Sequence, residues 1–225
     1  MKWTIFIQQK IKVAMLLLCI MFFVILTNLL GSNNLDNINR SVNSIYNDRL
    51  IPATDVYYIS DYLHKKKSLL DNIVITKGEY QKAVAELKDI NVKISRLVAH
   101  YENTYLVNGE IQFISDFKTT YNAYNTTEAG IIRLIKAGEV SEAQHVLNND
   151  VSRLHHQNIQ TLGKLVSIQS NVGRDLIKQS ESNANIFSLL SSLQIILAIV
   201  IGGMVVRLVM ASRLTNAVHE KYTMN

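Results

Sequence analysis

Two stretches without a single charged residue constrain this chain more than any other feature. No Asp, Glu, Lys or Arg lies between Lys12 and Asp36, a gap of 23 positions, and none between Glu181 and Arg207, a gap of 25. The first holds "VAMLLLCIMFFVILTNLL" and the second "IFSLLSSLQIILAIVIGGMVV". About 20 apolar residues carry a helix across the hydrocarbon core of a bilayer, so both runs qualify. We read them as membrane-spanning helices over residues 13–32 and 185–206.

The first run is long for the apolar core of a signal peptide, and no small-x-small cleavage site follows it in "TNLLGSNN". Cys19 follows three leucines and lacks the small residue expected before a lipidated cysteine. As the sole cysteine it excludes an internal disulfide and a thiol-based metal site. Lys2, Lys10, Lys12, Arg207, Arg213 and Lys221 against Glu220 account for the whole formal charge of +5. The segment between the two runs carries 17 basic and 17 acidic residues. By the positive-inside rule, residues 1–12 and 207–225 are cytoplasmic and residues 33–184 lie outside the membrane. The basic composition is thus a topology signal and no sign of nucleic-acid binding.

Residues 33–184 have helical periodicity. Leu35, Ile38, Val42, Ile45, Arg49, Pro52, Val56, Ile59, Leu63, Lys66, Leu70 and Ile73 follow each other at alternate threes and fours, the seam of a bundled helix. Gly78 is placed as its C-cap. A second seam runs through Ala83, Leu87, Ile90, Ile94, Leu97 and Tyr101 to an Asn-Gly turn in "VNGE". A third has Ile114, Phe117, Tyr121, Tyr124, Ile131 and Ile135 and stops at Gly138. Ser141 and Gln144 match a capping box, with Val140 as its staple. A fourth seam, with Leu147, Val151, Leu154, Leu165, Ile168 and Val172, enters the second apolar run without a breaker.

Lengths test the architecture. Helices over 33–77 and 141–185 have 45 residues each, about 68 Å, and helices over 79–107 and 110–137 have 29 and 28, about 43 Å. The fold class is all-α: an up-down-up-down antiparallel four-helix bundle flanked by two transmembrane helices. Only the outer pair reaches the membrane, as a stalk. Pro52, the one proline, falls where the stalk meets the bundle. It either kinks a long helix or occupies the first turn of a restarted one.

"IYNDRLIP", with Tyr46, Asp48, Arg49, Leu50 and Pro52, and "KAGEVSEAQHVL", with Gly138 and Ala143, resemble the four-helix-bundle sensor domain of methyl-accepting chemotaxis proteins and related bacterial receptors. The resemblance covers roughly residues 1–210. It implies a homodimeric receptor that binds a small ligand outside the membrane and passes a shift of helix 4 against helix 1 inward. The sequence departs from that pattern after the second run: 19 residues from Arg207 onward contain no methylation helices and no kinase or cyclase module. A separate cytoplasmic signalling protein would supply the output, or the chain competes for partners as a truncated receptor. The rival reading is a non-sensing membrane adaptor or assembly factor. No nucleophile-base constellation, phosphate loop or paired-carboxylate motif is visible, so no catalysis is expected, nor a cofactor.

Polar intrusions in the seams are the candidate chemistry. Arg49, Tyr58, Tyr62, Lys65, Lys66 and Arg153 form the candidate ligand-binding set. Lys66 and Glu128 lie at similar distances from the outer end and are placed to face each other as a buried pair, which sets register or meets a ligand. Arg49 has Glu110 or Asp48 within reach; its guanidinium either binds a carboxylate ligand or clamps the turn. "HKKK" (His64–Lys67) reads as a solvated face or an anion site. His64, His155 and His156 fall at one height, yet lack the spacing and supporting groups of a metal site, and no metal is expected. In the second run, Ser188-x-x-x-Ser192 and Ala198-x-x-x-Gly202 offer small-residue faces for helix contact.

Overall fold

A computed structural model describes residues 2–76 and 80–221, and the side chains of residues 15, 17–75, 80–204 and 206. The described residues are helical apart from two short connections. The chain divides into two compact units, Ser41–Ile177 and the pair Met1–Arg40 with Lys178–Asn225. In chain order the helices are α1 (Lys2–Ser44), α2 (Ile51–Thr76), α3 (Tyr80–Glu102), α4 (Asn108–Ala137), α5 (Val140–Val146) and α6 (Ser152–Lys221). Wide π-helical turns over Ile45–Leu50 and Leu147–Val151 join α1 to α2 and α5 to α6. The first long helix therefore continues through residue 44 instead of starting at 33, and Gly78 lies outside the described residues.

The unit Ser41–Ile177 is the antiparallel four-helix bundle. From Arg49 to Ile73 every seam position read from the sequence is buried, and α3 and α4 bury Leu87, Ile90, Ile94, Tyr101, Ile114, Phe117, Tyr121, Tyr124 and Ile131 as their spacing predicts. Such burial contributes about 1.5–3 kcal/mol for each large apolar side chain. The core falls into two apolar clusters. One gathers Val56, Ile59, Leu63, Ile94, Phe117 and Leu165; the other gathers Leu70, Ile73, Leu87, Ile131, Leu147 and Val151. Lys66 and Asn158, both buried, fall between the two clusters on their helices, while the buried Glu128 lies between Tyr124 and Ile131 of the second cluster.

Pro52 is the second residue of α2, which continues from the π-helical turn without a non-helical break. Just before it, the Ile51 N–H bonds back to the Tyr46 carbonyl, one residue further than in an α-helix. The extra residue in that turn shifts the hydrogen-bond register beside the one position with no N–H to donate. Gly138 adopts φ 81°, and the Glu139 N–H reaches the Leu134 carbonyl at 2.9 Å, closing α4 with a left-handed cap.

Two local expectations are corrected. The turn before α4 is formed by residues 103–107, while Asn108 and Gly109 open the helix itself. A Cβ at Gly109 would lie 3.2 Å from Ile168 Cδ1, a tight contact that a shift of that methyl by a few tenths of an ångström would relieve. The Ser141–Gln144 capping box does not form: Glu139 is the N-cap and no side chain caps the helix. The Gly138 turn is so short that Ser141 already lies inside the first turn of α5. The small residues Ser188, Ser192, Ala198 and Gly202 are all exposed on the single chain.

In the second unit, α1 and α6 meet through a different set. The Gln194 amide donates to the Thr27 hydroxyl at 2.8 Å, and that hydroxyl donates to the carbonyls of Phe23 and Val24, each at 3.0 Å. Gly31 lies against the ring of Phe187. Most other side chains of the two apolar runs, such as Met21, Phe22, Leu29, Ile195 and Ile199, point outward. Two helices are long and apolar enough to cross a membrane.

Candidate functional site

The bundle contains two buried polar layers and one aromatic hollow on its surface. The first layer lies at the α3–α4 turn. Arg49, carried by the π-helical turn, donates from Nη1 to Glu110 Oε2 at 3.0 Å and to Gln169 Oε1 at 3.3 Å, and from Nη2 to the Tyr105 carbonyl at 3.0 Å. Glu110 also accepts from the Tyr101 hydroxyl at 2.8 Å, the Gln169 amide at 2.5 Å and the Val107 N–H at 2.8 Å. Glu110 is wholly buried and Arg49 nearly so. Of the two carboxylates in reach of Arg49, Glu110 takes the guanidinium; Asp48 accepts from Ser44 at 2.8 Å and weakly from the Tyr105 N–H. The charges cancel and the carboxylate is saturated, which is the geometry of a clamp on the turn. Burial raises the Tyr101 phenol, so it donates and does not ionise.

The second layer separates the two apolar clusters. Lys66, with no solvent exposure, lies 3.0 Å from Glu128 Oε2 and donates to the amide oxygens of Asn91 and, at 2.6 Å, Asn125. Asn91 donates to Glu128 Oε1 at 3.1 Å and accepts from the Tyr121 hydroxyl at 2.8 Å. The ammonium also lies 4.8 Å and 4.9 Å from the ring centres of Tyr121 and Tyr124. Desolvation outweighs the attraction of Glu128 and lowers the lysine from its ordinary range. The Lys66–Glu128 pair expected from the sequence is therefore formed, with two asparagines completing it.

At the same level His155, buried on α6, places Nε2 at 3.2 Å from Nδ1 of the exposed His64. Burial, reinforced by His64, Lys67 and His156, pushes the His155 imidazole down to about 4. His156 turns away and pairs with Gln160 at 2.9 Å, so the three imidazoles do not converge. Among the described residues no three His, Cys, Asp or Glu side chains come together as a metal-ligand set.

The six candidate residues thus fall in different places. Arg49 and Lys66 belong to separate internal layers. Lys65 faces solvent and pairs with Glu86 at 2.6 Å, and Arg153 is exposed with Asp150 at 3.4 Å. Lys67 pairs with Asp71 at 3.1 Å, so each lysine of "HKKK" has a carboxylate partner. Tyr58 and Tyr62 do come together, with Lys93, Arg96 and Leu97, around a surface hollow of about 240 Å³ between α2 and α3. Sequence reasoning missed Lys93, Arg96, Asn91, Asn125 and Gln169. The last was signalled by the 4-3-4 spacing of Asn158, Leu162, Leu165 and Gln169, all buried.

An up-down-up-down bundle with paired charges across its core, in a chain with helices of membrane-spanning length, matches the sensory module that the sequence resemblance implies. Comparison with protein families agrees: the four-helix-bundle sensory module for signal transduction matches residues 4–184, and the chain belongs to that family. No curated protein matches the chain.

Proposed function

We propose that this protein is a chemoreceptor-like sensor of a bacterial inner membrane. Its bundle (33–184) lies outside, the apolar runs 13–32 and 185–206 cross the bilayer, and both termini are cytoplasmic. A small ligand on the bundle biases two positions of α6 relative to α1, and a separate cytoplasmic signalling protein reads the shift. The observation that carries this reading is α6 itself: Ser152–Lys221 is one unbroken helix of 70 residues that begins in the bundle core and includes the second apolar run. Such an element transmits displacement along its axis. The homodimer of this reading is supported by the exposed residues Val42, Tyr46, Leu50 and Tyr57, which leave apolar surface uncovered on a single chain.

The test is thermal unfolding of the full chain in lipid nanodiscs against amino acids, organic acids, amines and metal ions. A ligand of the folded state at about 100 times its Kd adds about 2.7 kcal/mol. A saturable hit supports sensing, and disulfide locking of Cys substitutions at Thr27 and Gln194 should then abolish any ligand-driven change while leaving binding intact. A membrane adaptor is the second reading. Its support is that both buried cations, Arg49 and Lys66, are engaged by internal partners. A folded bundle without hits across the whole panel would favour it.

A further inference from the structure

The hollow between α2 and α3 has a chemistry of its own. Tyr58 and Tyr62 form its aromatic walls, Leu97 supplies an apolar surface, and Lys93 and Arg96 stand at its rim. Tyr57 packs edge-on against Tyr58 with ring centres 5.4 Å apart, which fixes the wall. The Lys93 ammonium lies 5.7 Å from the Tyr62 ring centre and 2.7 Å from Asp89, so its charge is largely matched already. Arg96 is different: among the described residues it makes no hydrogen bond or ion pair, and it also borders an adjoining hollow with Asn91, Val92, Ser95 and Ala99. One unmatched planar cation beside two aryl faces suits a ligand with one carboxylate and a flat ring. The guanidinium takes the carboxylate in a two-pronged contact, and the tyrosines take the ring. At about 240 Å³ the space falls below the usual range for drug-sized ligands, about 300–1,000 Å³, and admits a single ring.

We infer that this hollow binds a small aromatic monocarboxylate, with Arg96 as the anion receptor and Tyr58 and Tyr62 as the ring clamp. The inference rests on the sensor reading and gives it a ligand class. It is tested by titration calorimetry of the full chain in nanodiscs with benzoate, benzamide and cyclohexanecarboxylate, with empty nanodiscs subtracted. Benzoate should bind saturably at one site per chain, and the neutral benzamide and the non-aromatic acid should each bind at least 10-fold more weakly. Arg96→Ala should weaken benzoate at least 10-fold at unchanged melting temperature, and Arg96→Lys should retain part of the affinity. Benzoate binding that ignores Arg96→Ala overturns the site. Absence of benzoate binding beside a saturable hit from another compound class overturns the site and leaves the sensor reading standing. Absence of any hit in any class overturns both.

Discussion

His155 makes acid stability a direct reading of how the bundle core is built. Its imidazole is buried on α6 and pushed down to about 4 from the ordinary 6.5, first by desolvation and then by His64 and Lys67 of α2 and His156 beside it. Asp71 of α2 pulls the other way, and Tyr124 of α4 faces the ring without charge. Between pH 6.5 and 4 the unfolded chain therefore holds a proton that the folded chain refuses. The stability due to this group is complete above pH 6.5 and is lost as the pH falls toward 4. At 1.36 kcal/mol per pH unit the full gap is worth about 3 kcal/mol, of which about 2 kcal/mol is gone by pH 5. For a chain of this size, about 2 kcal/mol lowers the melting temperature by about 4–8 °C. The assay is circular dichroism of the full chain in detergent from pH 7.5 to 5, with His155→Leu as the comparison. Carboxylates and other histidines titrate in both proteins, so the difference between the two slopes isolates His155. The wild type should lose at least about 4 °C more than the variant; parallel slopes would refute the assignment.

Other consequences follow from the same layers. Lys66→Met leaves the buried Glu128 charge alone and should cost about 3–5 kcal/mol in denaturant unfolding, whereas Lys66→Met with Glu128→Leu should return to near the wild type. A neutral single variant would mean that the pair is not buried. Burial raises the phenols of Tyr101, Tyr121 and Tyr124, so their contribution to stability is present below about pH 10 and lost as the pH rises past it. Ultraviolet titration should find these three phenols still protonated above the ordinary phenol range, and denaturant should release them. Gly138→Ala meets no atom within 4 Å but must hold φ near 81°, so calorimetry should show a loss of about 1 kcal/mol from backbone strain alone.

How much of this was legible beforehand depends on whether a feature repeats along one helix or requires two. The seam from Arg49 to Ile73 was readable because burial follows the 3.5-residue period of a single helix, and the polar residues that broke it were the ones that became layers. The Lys66–Glu128 pair was readable by counting from the outer turn. The partners Asn91 and Asn125 were not, since asparagine is common on solvated faces and only packing reveals which ones turn inward. Local turn chemistry misled where tertiary contact overrode it. Asn108-Gly109 has the composition of a turn, yet both residues lie inside α4, with Ile168 packed close to Gly109. The surface hollow had no linear signature at all: Tyr58 and Tyr62 lie one turn apart, but Lys93 and Arg96 reach them only because α3 packs antiparallel to α2.

The two layers also hold α6 unequally. In the middle layer Lys66, Asn91, Tyr121, Asn125 and Glu128 bond to or pair with one another across α2, α3 and α4, although Glu128 Oε2 has only its ion pair and the neighbouring Tyr124 hydroxyl has no partner. The polar residues that α6 buries there contribute little to that network: Asn158 donates only to Leu154 of its own helix, its Oδ1 and the His155 Nδ1 have no partner, and the sole polar link to another helix is the one to His64. A displacement of α6 along its axis therefore breaks one hydrogen bond in this layer, and buried atoms without partners, each costing about 1–3 kcal/mol, stand to gain from it. At the turn layer the situation is reversed, because Gln169 bonds to Glu110, Tyr101 and Arg49 together. Moving α6 past that point means exchanging three bonds at once. The resistance to displacement is thus concentrated at Gln169, and a ligand that changes the spacing of α2 and α3 near the middle layer acts where α6 is held least.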